Sequence, residues 1–232
     1  MTREQFIKRI APIAVQLRAE GSPIFPSVRI AQSILETGGT INPWNNLVGY
    51  KVGGGAITPY WQGKSVRKLT WEVYDGTRQD RVPADFRAYD SIEDGYRDQD
   101  LLFEKDRYRR VREAENPEEQ ADMLYMSGYA TDPNYAVKLK MLMASYGLGR
   151  YDEEAVQLRK EWQERLQQLE QRKQALQARL QTLRQALAMT EIPEWAKEAV
   201  ERAVQSRLID TPLNGSYDFY RLLTILKRRG VI

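Results

Sequence analysis

From about Asp152 to Met189 the chain turns to Gln, Arg, Leu and Glu, and its leucines return in a seven-residue rhythm. Leu166, Leu180 and Leu187 fall at a, and Trp162, Leu169, Leu176 and Leu183 at d. The polar exceptions, Arg159 and Lys173, both sit at a. A seam of this period, sustained over roughly four heptads, dictates one long helix with an apolar stripe to cover. Arg165 would meet Glu170 of a parallel partner, but Arg179 would meet Arg184, so a homodimer through this coiled coil is possible without being optimised. The alternative is a stalk that packs on its own C-terminal helices. The stretch divides the chain into residues 1–150, a linker or stalk over 152–189, and a C-terminal unit over 190–232.

The first part reads as helices around a small β insertion. Thr2 and Gln5 have the spacing of a capping box, and Phe6, Ile10, Ile13, Ala14 and Leu17 share one helical face. A second helix is expected from Pro26, a good first position, to Thr37, with Gly38 as its stop. Leu69 to Asp75 and Val82 to Tyr89 read as a hairpin turning at Asp75-Gly76, and Pro83 argues for an edge. Ser91 and Asp94 cap another helix; Asn116-Pro117 and Asp132-Pro133 open two more, closed by Gly128 and Gly147. In the last part, Pro193 starts a helix carrying Trp195, Ala199, Val200 and Ala203. A second helix with Phe219, Tyr220, Leu223 and Leu226 follows the turn at Asn214-Gly215-Ser216. Two such helices bury little by themselves. The fold class is α+β, mainly α.

Among the 232 residues there is no His and no Cys. A Ser-His-Asp triad, a Cys-His pair and a His-ligated zinc site are therefore excluded, as are disulfides. Carboxylates, Tyr and Lys remain for acid–base work. The net charge of +3 would suit an anionic polymer but is too small to point to nucleic acid. MTREQFIKRIAPIAVQL lacks the apolar run of a signal peptide, and no stretch is long enough to span a membrane. The expectation is a route out of the cell other than a signal peptide, or a leader since removed.

Glu36, in AQSILETGG, lies in the last turn of an apolar helix, where the negative end of the helix dipole disfavours its charge. Burial near Ile34 and Leu35 would act the same way, and a raised pKa is what a general acid for glycosidic cleavage needs. Three further words follow: NNLVGYK (Asn45 to Lys51), TWEVYDG (Thr70 to Gly76) with FRAYDS after it, and GYATDPNYAVKL (Gly128 to Leu139). Together, over roughly residues 1–150, these ordered words resemble the peptidoglycan-cutting glucosaminidases of glycoside hydrolase family 73.

The resemblance implies a lysozyme-like domain with a β-hairpin lobe and no cofactor. It implies Glu36 as catalytic acid, Glu72 as the second acidic residue, and Tyr129 in the cleft beside the reacting sugar. Asn46 and Lys51 would shape that cleft, and Trp44, Tyr60, Trp61 and Trp71 could stack on sugar faces. Tyr135 joins them as a substrate-binding candidate, although its spacing to Leu139 and Leu142 also suits a core position. Asp75 and Asp80 are spare carboxylates. Two departures stand out: Gly38-Gly39 replaces the usual Trp-Gly, and Val73 stands where an aromatic is common. The expected activity is cleavage of the β-1,4 bond between N-acetylglucosamine and N-acetylmuramic acid, as a phage endolysin or autolysin acting on the bacterial wall. Rival readings are a non-catalytic wall-binding or virion-assembly protein, and a muramidase or lytic transglycosylase acting on the neighbouring bond. WAKEAVERAVQSRLI resembles the first helix of surface-layer-homology modules, which would make the C-terminal unit a wall anchor.

Overall fold

A computed structural model gives the architecture. It describes residues 1–74 and 77–232, and for 70–74, 77–81 and 186 the backbone alone. The chain divides into two compact units, Met1–Gln163 and Glu164–Ile232.

The first unit opens with α1, Arg3–Glu20. Its capping box is formed on both sides: the Gln5 amide N–H donates to Thr2 Oγ1 (3.2 Å), and the Thr2 N–H donates to Gln5 Oε1 (2.9 Å). Next comes α2, Pro26–Thr37, with proline at its first position and Gly38 in the left-handed region (φ 65°) at its end. Two orphan donors at an N-terminus this deep in the protein need partners. Both come from far along the chain: Gln120 Oε1 accepts from the Phe25 N–H and Asp152 Oδ1 from the Ser27 N–H.

The only sheet among the described residues is a two-stranded antiparallel hairpin, β1 (Ser65–Tyr74) and β2 (Thr77–Arg87). It starts four residues before the expected Leu69 and ends two short of Tyr89, because Val66 pairs with Phe86 and Ser65 with Arg87. Tyr74 lies opposite Thr77; Asp75 and Gly76 fall outside the described residues. Pro83 is tolerated opposite Leu69 because both strands are edges.

Helices then return as α3 (Ile92–Phe103), the short α4 (Arg109–Arg112), α5 (Pro117–Met126) and α6 (Tyr135–Ser145). Ser91 and Asn116 cap α3 and α5 as expected. The helix expected from Asp132-Pro133 begins only at Tyr135, since Asp132 and Pro133 form the turn before it. The turn of helix at Arg109–Arg112, preceded by a 3-10 turn, was not anticipated. The core gathers Phe6, Ile10, Leu17, Ile24, Ile30, Phe103, Leu124 and Leu139.

A single helix, α7, runs over Gly149–Leu187, three residues earlier than the expected start. Its first turns belong to the first unit: Tyr151 and Ala155 are buried in that core. Arg159, a polar intruder in the heptad pattern, donates to the carbonyls of Arg18 and Ala19 at the end of α1 (2.7 and 3.1 Å).

In the second unit the seam leucines of α7 are 48–68% exposed. Helices α8 (Lys197–Gln205) and α9 (Tyr217–Arg228) pack Ala199, Val200 and Ala203 against Tyr220 and Leu223. The Tyr220 hydroxyl donates to the Pro212 carbonyl (2.9 Å) and accepts from the Gly215 N–H (3.1 Å), closing the turn between them. Among the described residues no helix is long and apolar enough to cross a membrane.

Candidate active site

α2 is buried around most of its circumference, and this holds Glu36 in place. Ile30 and Ile34 enter the apolar core, while Arg29, Gln32 and Ser33 are equally buried and hydrogen-bonded. Arg29 pairs with Asp100 and donates to Gln99 Oε1 (3.1 Å) and the Tyr96 carbonyl (3.0 Å). Ser33 shares a 2.8 Å hydrogen bond with the Tyr96 hydroxyl. A helix fastened on so many sides gives its last turn little freedom.

At that last turn Glu36 remains open to solvent. Its carboxyl end is nevertheless crowded, and Gly49 is the reason. A Cβ built on Gly49 would lie 2.9 Å from Glu36 Oε2, so a side chain there would push the carboxyl aside. Gly49 also has φ 64°, where a side chain would be strained. Loss of hydration raises the Glu36 pKa from 4.5 to about 7; Lys51 opposes the shift with its positive charge. Exposure and crowding agree for a group on a protein wall with one open side, which is where a carboxyl that must meet a substrate belongs.

The loop carrying Gly49 is built by Asn46. Its side-chain amide donates to the carbonyls of Tyr50 (2.8 Å) and Arg87 (2.9 Å), and its Oδ1 accepts from the Tyr50 N–H (3.0 Å). Asn46 is thus buried and fully engaged with backbone. Asn46 therefore shapes this loop through its backbone contacts. Lys51 forms an antiparallel bridge with Phe86, and the Val52 N–H donates to the Asp85 carbonyl (2.8 Å), so the loop is zipped to β2. Trp44 is half-buried, with the Lys68 ammonium 4.6 Å from its ring centre.

Tyr129 stands on the other side of the same loop. Its hydroxyl accepts from Gln99 Nε2 (2.9 Å) and donates to the Val48 carbonyl (3.3 Å), next to Gly49. Burial first, then the Glu36 charge, push its pKa far above the ordinary phenol value, so it stays protonated. Its ring rests on Phe103 (5.6 Å between centres) and Tyr135 (6.0 Å). Tyr135 is only 3% exposed and accepts from Gln32 Nε2 (2.9 Å). It takes the core position behind Tyr129 that its spacing to Leu139 and Leu142 also suits. Trp61 is likewise buried, its indole N–H on the Lys64 carbonyl (2.6 Å) and the Arg87 guanidinium over its ring (4.0 Å).

The structure thus brings together Glu36, Tyr129 and Lys51. The side chains of Glu72, Trp71 and Asp80 lie outside the described residues, as does Asp75. Gly49, Gln99 and Gln32 were not singled out in the sequence. A glycine at the centre of NNLVGYK was the available signal for the first; nothing local marked the glutamines. Among the described residues no cluster of three or more acidic side chains is placed to hold a metal ion. A 590 Å³ surface groove beside Val15, Arg150 and Glu161 is not lined by Glu36.

A helical domain with a hairpin lobe, presenting one proton-holding carboxyl at the end of its central helix, has the form of a lysozyme-like glycosidase. The family described as mannosyl-glycoprotein endo-beta-N-acetylglucosaminidase matches residues 11–148, and the chain belongs to this glucosaminidase family of glycoside hydrolases. The exo-glucosaminidase LytG of Bacillus subtilis (strain 168) is 36% identical over 153 residues, 60% of this chain and 50% of the relative. The peptidoglycan hydrolase FlgJ of Pseudomonas aeruginosa is 34% identical over 154 residues, 60% of this chain and 36% of the relative. This chain therefore spans half or less of the length of these curated relatives. The catalytic domain of the autolysin Auto from Listeria monocytogenes superposes with a TM-score of 0.53 at 30% identity, covering 64% of this chain and 86% of that one.

Proposed function

We propose that this chain is a peptidoglycan hydrolase that cleaves the β-1,4 bond between N-acetylglucosamine and N-acetylmuramic acid, with Glu36 as general acid. One observation carries the reading: Glu36 is held at the end of α2 under the backbone of Gly49, open on one side and with its pKa raised to about 7. A carboxyl of that kind keeps its proton near neutrality and can pass it to a leaving glycosidic oxygen.

In the proposed step the Glu36 proton goes to the bridging oxygen, which leaves with the electron pair of the broken C–O bond. The anomeric carbon is taken by water, or first by the carbonyl oxygen of the substrate's own N-acetyl group. Glu72 activates the water in the first route. Tyr129 steadies the N-acetyl group in the second, its phenol exchanging the hydrogen bond to the Val48 carbonyl for one to the substrate. The separation of Glu36 and Glu72 selects between inversion and retention. Support for peptidoglycan as substrate comes from the relatives, several of which are named peptidoglycan hydrolases.

The test is mass spectrometry of muropeptides reduced with borohydride after digestion of purified Gram-positive wall. Reduced N-acetylglucosamine ends are the expected result. Reduced N-acetylmuramic acid or anhydro ends would move the cut to the neighbouring bond. Intact glycan from a folded protein would overturn the hydrolase reading.

A further inference from the structure

The leucine face of α7 is the largest regular apolar feature that the hydrolase reading leaves unused. From Leu166 to Leu187 it runs 22 residues, about 33 Å of helix. Leu166, Leu169, Leu176, Leu180, Leu183 and Leu187 are each about half exposed or more, so the second unit does not cover them itself. Three heptads of unbroken phase are enough for a two-stranded coiled coil, whereas a lone helix of this composition leaves its seam in water.

We propose that this face is closed by the same face of a second copy of the chain, in a parallel, in-register, two-stranded coiled coil. Two observations select that geometry, and a third, the match of Glu170 to Arg165 of a second copy, favours that occupant.

The first is Lys173, at a in the centre of the seam. In a two-stranded coil its stem packs on the neighbouring leucines while its ammonium reaches water at the rim. In a trimer or tetramer three or four such ammonium groups would be enclosed, which is far costlier.

The second is the ring of charges beside the seam. In a parallel pair Arg165 faces Glu170 of the second copy, Arg172 faces Gln177, and Arg179 faces Arg184. By symmetry each contact occurs twice, so the attraction and the repulsion offset one another and the leucines decide. An antiparallel pair with every a opposite a d aligns Leu166 with Leu183. It sets Arg172 against Arg179 and Glu170 against Gln177. Repulsion then remains with no attraction to offset it.

The third is that the only acidic residue beside the seam, Glu170, finds an arginine in the parallel pair alone. A heterologous acidic helix would suit the arginines as well, and it is the alternative that the experiment must exclude.

Sedimentation equilibrium of the full chain is expected to give twice the chain mass at micromolar concentration. Replacing Arg184 by Glu turns the Arg179 contact from repulsive to attractive on both sides. It should tighten the dimer by roughly tenfold, the sum of four small ion-pair increments. In the antiparallel pair Arg184 faces Gln163, and the same change would leave the affinity nearly unaltered. Leu176→Asp with Leu180→Asp should dissociate the dimer. Those side chains are already exposed in the single chain, and unchanged wall digestion would show that the first unit still folds. The chain has no cysteine, so Leu176→Cys provides one thiol. It should give a disulfide-linked dimer under mild oxidation, because only the in-register parallel pair brings the two positions within bonding distance. A monomer throughout, with binding only to an added acidic heptad peptide, would overturn the second copy as occupant. A dimer indifferent to Arg184→Glu and to the aspartates, or a trimer, would overturn the geometry.

Discussion

Glu36 carries two opposed demands, and both can be measured. Its folded-state pKa of about 7 exceeds the ordinary 4.5, so between those values the folded protein keeps a proton that the unfolded chain has released. Stability must therefore fall as pH rises through that window and level off above it. Glu36→Gln removes the titration, and its melting midpoint should exceed the parent's at pH 8 and match it at pH 4. The same variant should lose roughly 10²–10⁴-fold in turnover, the range for a positioned proton donor. Activity of the parent should decline above about pH 7 as the acid ionises. A variant that keeps its wall-digesting rate would remove Glu36 from the mechanism. Gly49 is the companion position. Gly49→Ala places a methyl 2.9 Å from Glu36 Oε2 and forces alanine to φ 64°. The backbone term alone should cost about 1–2 kcal/mol, read by urea denaturation, and displacement of the carboxyl should lower activity further.

Between elements, a buried ion pair helps fasten the hairpin to the helices. Arg87 at the end of β2 donates to Asp98 of α3 (2.7 Å), with both side chains almost wholly enclosed. Asp98 also accepts from the Tyr89 hydroxyl (2.8 Å) and from Thr58 Oγ1 (2.7 Å). Burying this pair is no large source of stability in itself, but leaving one charge without the other is costly. Arg87→Met should therefore destabilise the first unit by about 3–5 kcal/mol in chemical denaturation, and a loss under 1 kcal/mol would show that solvent reaches Asp98. This junction also marks how far the sequence could be read. The capping box of α1, the proline start and glycine stop of α2, and the caps of α3 and α5 are local signals, and each was legible. The hairpin was visible from its aromatic and β-branched residues, but its length was not, because Ser65 to Lys68 offer only Val66 of that composition. Asp98 looks like any helical surface acid, and Arg29 and Gln32 like the polar side of an amphipathic helix. Their burial depends on partners some 11 to 103 residues away along the chain, which no local pattern encodes. The burial of Asn46 and Tyr135 likewise rests on contacts far apart in the chain, Asn46 with Arg87 and Tyr135 with Gln32.

For the whole molecule, the two compact units raise the question of where the catalytic domain ends. The family match stops at residue 148. The packing does not stop there, because Tyr151 and Ala155 complete the core, Leu158 packs against it, and Asp152 accepts from the Ser27 N–H at the head of α2. Arg159 caps the far end of α1 through the carbonyls of Arg18 and Ala19. The helix that continues toward the leucine seam is thus also the brace that holds the junction between α1 and α2, and α2 is what positions Glu36. A chain ended after Gln163 keeps all of these contacts and should unfold cooperatively, with wall-digesting activity per site close to that of the full chain. A chain ended after Leu148 forfeits them. From the buried apolar area and hydrogen bonds lost, its stability should drop by several kcal/mol, on the order of half of what a domain this size possesses. Paired denaturation curves of the two truncations decide the point. Equal stability would mean that the first turns of α7 are an appendage, and that α2 is held by the interior of residues 1–148 alone.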